Sequence, residues 1–172
     1  MPPVIPGRFT AEMDEPFVVF LIGMRINKFL AFSKWLPTVR AMSPMLRTLQ
    51  KHPEKGFLGG EAFIYTRGVG LFQYWRSFED LERFARNPSE IHLEAWQRFN
   101  RSVGADGTVG IWHETYLVEP GQYKAIYANM PVFGLAAATK HIPAVGRKEP
   151  ARRPLGGDSE PIVSSSSPAT QH

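Results

Sequence analysis

The sequence predicts one α+β domain of split βαββαβ type over residues 17–139, with an arm at residues 1–16 before it and a disordered Pro/Ser-rich tail at residues 140–172 behind it. Three observations predict this. Residues 17–24 are an uncharged run of β-branched and aromatic side chains, as a strand buried on both faces requires. Arg67-Gly68 separates two further strand-like runs and so marks a hairpin. One stretch of helical apolar spacing precedes that hairpin and another follows it.

Taken in order, the first strand is followed by Asn27, a residue suited to capping a helix over residues 28–51. Phe29, Phe32, Leu36, Val39, Leu46 and Leu49 recur there at three- or four-residue spacing. Pro37 and Pro44 each lack a backbone donor, which predicts a kink or two shorter helices. Strands follow over residues 57–66 and 69–75. Ser77 with Asp80 three residues on resembles a capping box for a second helix, continued by Leu81, Phe84 and Ala85. Asn87-Pro88 restarts that helix, which runs to about residue 103. A turn at residues 105–107 leads to a long strand over residues 108–119, and Pro120-Gly121 turns into an extra strand over residues 122–128. The order β, α, β, β, α, β with right-handed crossovers is ferredoxin-like: an antiparallel sheet with helices on one face. The other face carries too many aromatic and β-branched residues to stay wet. A homodimer, sheet against sheet, would cover it.

Composition narrows the function classes. Hydrophobic residues are 43% of the chain, enough for a true core. Lys+Arg number 20 against 16 Asp+Glu, with no dense basic stripe, so nucleic acid is not the expected partner. With no cysteine there is no disulfide, thiolate ligand or cysteine nucleophile, which is compatible with a cytoplasmic location. The longest apolar run, eight residues, is far short of the ~20 of a transmembrane segment. No phosphate loop, HExxH or GxSxG occurs, and no metal site is expected.

Tyr74-Trp75-Arg76-Ser77 with Glu79-Asp80-Leu81, then Asn87-Pro88 and His92, resembles the Trp-x-Ser-x-Glu-x-Leu … His pattern of small dimeric α/β-barrel monooxygenases. Gly23-Met24-Arg25-Ile26-Asn27, the run 110–116, and Tyr127-x-Asn129-Met130-Pro131 extend the likeness to the subfamily named after a fumagillin-pathway hydroxylase, over about residues 16–143. The resemblance implies a monooxygenase-like oxidoreductase acting on a hydrophobic small molecule in an apolar pocket. A haem-dependent lyase of aldoxime-dehydratase type and a non-enzymatic dimeric binder of a hydrophobic metabolite are the alternatives. It leaves the cofactor open between none and haem.

Candidate residues follow. His92 shares a helical stripe with Trp96, Phe99 and Val103; it is either hydrogen-bonded structure, a general base or the axial ligand of haem. His113 and Glu114 are adjacent in a strand and so face opposite ways. Glu114 is expected either to pair with a cation such as Arg25 or to act as proton acceptor among aromatics. Asn27 is either the helix cap or a catalytic amide, the second reading implied by the resemblance. Trp75, Trp96, Trp112, Tyr116, Tyr127, Asn129 and Arg25 are the candidate substrate-binding residues, walls and polar tips of an apolar cavity.

Overall fold

The structure, a computed structural model, describes residues 2–87, 97, 101 and 105–144. Strand β2 (Phe17–Ile26) is its axis, because Phe, Val and Ile alternate onto both faces and both edges find partners. β2 pairs antiparallel with β4 (Gly68–Trp75) on one side and with β5 (Val109–Val118) on the other, and β3 (Phe57–Tyr65) closes the hairpin on β4. The resulting order β3-β4-β2-β5 is that of a split βαββαβ sheet, so the fold class is α+β and ferredoxin-like as the sequence predicts.

Among the described residues two helices cover one face. Helix α1 (Phe32–Lys51) and helix α2 (Phe78–Arg86) supply Leu49 and Leu81 to a cluster with Val18, Phe57 and Trp75. Trp35 and Val39 of α1 pack on Met24, Ile26 and Val109 further along the sheet. α1 is one continuous helix in spite of Pro37 and Pro44, and it begins at Phe32 with Ala31 as its cap residue. The lost donors are outweighed by the apolar face that only a continuous helix can lay along the sheet. Asn27 is therefore not the cap. Ser77 does cap α2, its Oγ accepting the Asp80 amide at 3.1 Å. The restart at Asn87-Pro88 falls largely outside the described residues, where Gln97 and Arg101 are helical.

The larger departure lies at the two ends. Residues 1–16 contain a strand, β1 (Ile5–Glu12), and the extra strand is β6 (Tyr127–Met130), a few residues later than its predicted place. β1 pairs antiparallel with β6 and with β7 (Lys140–Pro143), so ordered structure extends past both expected boundaries. A one-turn helix, α3 (Leu135–Ala138), sits between β6 and β7. This second sheet lies on the other face of the main sheet, where Ala11, Leu135 and Ala136 pack with Phe17, Val19 and Tyr74. β6 stops pairing with the main sheet because its partner is β1, as Phe9 opposite Tyr127 shows. Among the described residues no helix is long and apolar enough to cross a membrane.

One corner fastens the helices to the hairpin. Asp80, 5% exposed, accepts from Arg76 Nε and Arg83 Nη1, each at 2.8 Å. Burial works against its ionisation, but the two guanidinium groups outweigh that and hold its pKa below the ordinary carboxylate value. The carboxylate rests against Gly56, whose φ of +86° and lack of a side chain are both required: a Cβ there would run into Asp80. Gly107, at φ +71°, has nothing within 4 Å of the same added atom. Gly107→Ala should therefore lose only about 1 kcal/mol of left-handed strain, and Gly56→Ala about 2–4 kcal/mol, the strain plus a displaced buried carboxylate. Urea denaturation of the two variants checks this; equal losses would remove Asp80 from the account.

Candidate functional site

The candidate site is the part of the second face that the small sheet leaves open. Strand registers put its residues in rows across β3, β4, β2 and β5. One row reads Glu61, Phe72, Leu21, Glu114; the next reads Phe63, Gly70, Gly23, Trp112; the third reads Tyr65, Gly68, Arg25, Gly110. The glycines explain the surface. With no side chain at Gly23 or Gly70, the outer-strand rings fold inward over the two central strands. A Cβ on Gly23 would lie 2.7 Å from the Trp112 indole, and one on Gly70 would lie 2.5 Å from the Phe63 ring. The outcome is a flattened aromatic floor, continued by Phe72 against Phe133 at 5.7 Å.

Polar groups edge this floor. Trp112 Nε1 donates to the Tyr65 hydroxyl at 2.9 Å, and that hydroxyl donates to the Met24 carbonyl at 2.8 Å. The relay fixes the indole flat and consumes every strong donor on it. Glu114 stands one pleat away on β5 and accepts from the Tyr116 hydroxyl at 2.5 Å. This hydrogen bond, and the charge of Glu114 behind it, raises the Tyr116 pKa and keeps the phenol a donor. Tyr116 is 48% exposed and Glu114 is exposed, so both are open to a ligand or a second protein surface.

The structure sorts the predicted residues clearly. Arg25, Trp112, Glu114 and Tyr116 share this face. Arg25 does not pair with Glu114, however: it donates to Asn27 Oδ1, two residues along and at the far end of the floor. Asn27 in turn donates from Nδ2 to the Gly107 carbonyl at 3.1 Å, tying the end of β2 to the turn before β5. His113 points the other way, toward the helices, with its ring 5.9 Å from Phe20. Trp75 is wholly enclosed, with Phe57 and Phe84 on its ring and its Nε1 given to Gln73 at 2.9 Å. That is a core position rather than a cavity wall. His92 and Trp96, and with them the axial-ligand reading, lie outside the described residues.

Tyr127 and Asn129 belong to the covering sheet. Tyr127 Oη accepts the Ala136 amide at 3.4 Å, and Asn129 Oδ1 accepts the Gly7 amide at 3.0 Å. The Tyr127 and Tyr74 hydroxyls converge on Gly134 at the start of α3. Burial, and after it the neighbouring Tyr127, pushes the Tyr74 phenol up to about 12. Sequence reasoning missed Tyr65 and Tyr74 as site-building residues. Their signal was strand alternation, which puts Tyr65 in phase with Phe63 and Tyr74 in phase with Phe72.

Residues 17–135 match the family model described as Monooxygenase af470-like. A similar curated protein is Monooxygenase af470 of Aspergillus fumigatus, 30% identical over 139 residues. The match takes in 73% of this chain and 48% of that protein, so the chain spans about half the relative's length. Among solved structures, SnoaB of Streptomyces nogalater, described as a cofactor-independent oxygenase, aligns at TM-score 0.43 and 10% identity, over 60% of this chain and 93% of its own. A dimeric protein of unknown function with a ferredoxin-like fold from Bacteroides fragilis aligns at TM-score 0.43 and 12% identity, over 60% and 95%.

The raised Tyr74 pKa carries a stability consequence. Its folded value, about 12, lies above the ordinary 10.0, so the folded state holds the proton longer than the unfolded state. The contribution is complete below pH 10 and fades as pH rises toward 12. Thermal midpoints should fall over that window, and Tyr74→Phe should make the fall shallower; an unchanged slope would contradict the burial of this hydroxyl.

Proposed function

The chain belongs to the Monooxygenase af470-like family, and from that premise we propose that it is a monooxygenase-type enzyme acting on a hydrophobic small molecule, with Glu114 as the proton acceptor. The observation that carries the residue assignment is the Tyr116 to Glu114 hydrogen bond beside the Trp112 floor. A flat apolar substrate stacks on the indole, whose own donor is already used by Tyr65 and does not compete for it. Glu114 takes the proton of an acidic C–H next to that floor, and Tyr116 holds the carboxylate in place. Dioxygen then accepts electrons from the carbanion. One oxygen atom stays on the carbon as a carbonyl, and the other leaves as water with the two hydrogens of the original CH2.

The working unit in this proposal is a homodimer. Leu21, Phe63, Phe72 and Trp112 form an apolar area that the described residues leave partly open, and a second copy laid sheet on sheet about 10 Å away would cover it. That closure would also take Glu114 out of bulk water and strengthen it as a base. Leu21 sits between Phe72 and Glu114, so Leu21→Glu places like charge at the centre of the interface.

Two measurements test the reading. Oxygen uptake with flat apolar substrates bearing an acidic C–H should fall roughly 10²–10⁴-fold in kcat for Glu114→Gln. Full activity in that variant would remove Glu114 from the chemistry. Sedimentation should show a dimer for the parent chain and a folded monomer for Leu21→Glu. A Soret band on reconstitution with haem would favour the lyase reading, and ligand retention with no oxygen uptake would favour the binder.

A further inference from the structure

The turn between β2 and α1 carries the most exposed apolar side chains on one short segment of the described chain. Leu30 is 89% exposed, Phe32 55% and Phe29 49%. Such residues are normally turned inward when a helix packs on a sheet, and α1 does pack, through Trp35 and Val39. Here side-chain hydrogen bonds hold the backbone of the turn with these side chains outward. Arg67 donates from Nε to the Ile26 carbonyl at 3.2 Å and from Nη2 to the Asn27 carbonyl at 3.0 Å. Its guanidinium lies 4.9 Å from the centre of the Phe29 ring. Trp35 Nε1 donates to the Phe29 carbonyl at 2.9 Å, and its ring sits 5.5 Å from that of Phe32. The turn is thus a braced knuckle with three apolar side chains outward.

Its electrostatic setting has one sign. Arg25 and Lys28 are exposed beside it, Arg67 lies beneath Phe29, and Lys34 stands at the start of α1. Against these four cations the acid that pairs with one of them, among the described residues, is Asp106, bound to Lys34. Lys34 and the Thr108 amide hold its pKa well below the usual carboxylate range, so it stays charged and offsets one cation. An apolar tip ringed by an excess of positive charge matches a surface with anionic headgroups above hydrocarbon. A protein groove would supply the hydrocarbon without requiring the cations.

We infer that the turn bearing Phe29, Leu30 and Phe32 docks on an anionic lipid surface, inserting these side chains while Lys28 and Arg25 meet the headgroups. Contact is peripheral and reversible, because three side chains and a few cations give modest affinity. It stands on this surface alone and does not depend on the oxygenase reading.

Flotation of the full chain with vesicles of phosphatidylcholine mixed with phosphatidylserine tests it. The parent chain should float with these vesicles, lose retention as salt rises, and bind pure phosphatidylcholine far less. Leu30→Asp should lower partitioning about tenfold or more, and Lys28→Gln about fivefold. Leu117→Asp, at a 69% exposed side chain opposite Val18 at the other end of β2, should leave it unchanged. Unaltered melting of Leu30→Asp shows that the fold survives. Absence of flotation, or equal flotation of Leu30→Asp, overturns the inference. So does a lowered oligomer mass in Leu30→Asp without any vesicle binding, which would make the turn a contact between copies.

Discussion

Everything in this fold answers to one constraint: β2 is apolar on both faces and hydrogen-bonded along both edges. A strand of that kind cannot lie at a surface, so the chain must supply cover above and below it. Above, α1 and α2 deliver Leu49 and Leu81 onto Val18 and Trp75. Below, the chain has less to give. The small sheet and α3 reach Phe17, Val19 and Tyr74 but stop short of Leu21 and Gly23. The place where cover runs out is the place where the polar groups gather, and this is no coincidence of geometry. Carboxylate, phenol and indole tips need room that a closed core would deny them.

Within that open area the pairing of roles is physical rather than positional. Trp112 is held by Tyr65 and by the absence of a side chain at Gly23; Glu114 is held by Tyr116. Each functional group has one partner to orient it and one side left free. Arg25 is different, since it donates to Asn27 at the end of β2 and not to Glu114. His113 belongs to the helix side of the same strand. A metal or proton relay using both His113 and Glu114 would have to pass through the sheet.

Much of this could be read in the residues. The four strands of the main sheet announce themselves through Phe, Val, Ile and Trp at period two, and Ser77 with Asp80 marks the start of α2 because a cap is a local interaction. What stayed hidden is non-local. β1 contains Pro6 and Gly7, which speak against a strand, and its register slips between Ile5 and Arg8; only its partners at β6 and β7 make it one. Asn27 looks like a cap by composition, yet its amide is claimed by Gly107, 80 residues away. Likewise Trp75 looks like any other aromatic of the site until Phe57 and Phe84 are seen to enclose it. Alternation shows which residues share a face, and it is silent about what lies on top.

The small sheet joins parts of the chain that are far apart: Gly7 bonds to Asn129 across 122 residues, and β1 lies against β7. The four-stranded sheet closes loops nearly as long, since Phe17 of β2 pairs with Val118 of β5, so loop length alone does not separate the two sheets. What distinguishes the small sheet is the shortness of its strands: β6 (Tyr127–Met130) and β7 (Lys140–Pro143) each pair with β1 over only a few residues. This lid of short strands is therefore the natural unit of local unfolding, free to open while the main sheet persists. Opening would bare Phe17, Tyr74 and the start of α3 beside the aromatic floor. Access to that face would then be set by the cooperativity of the fold, not by any loop.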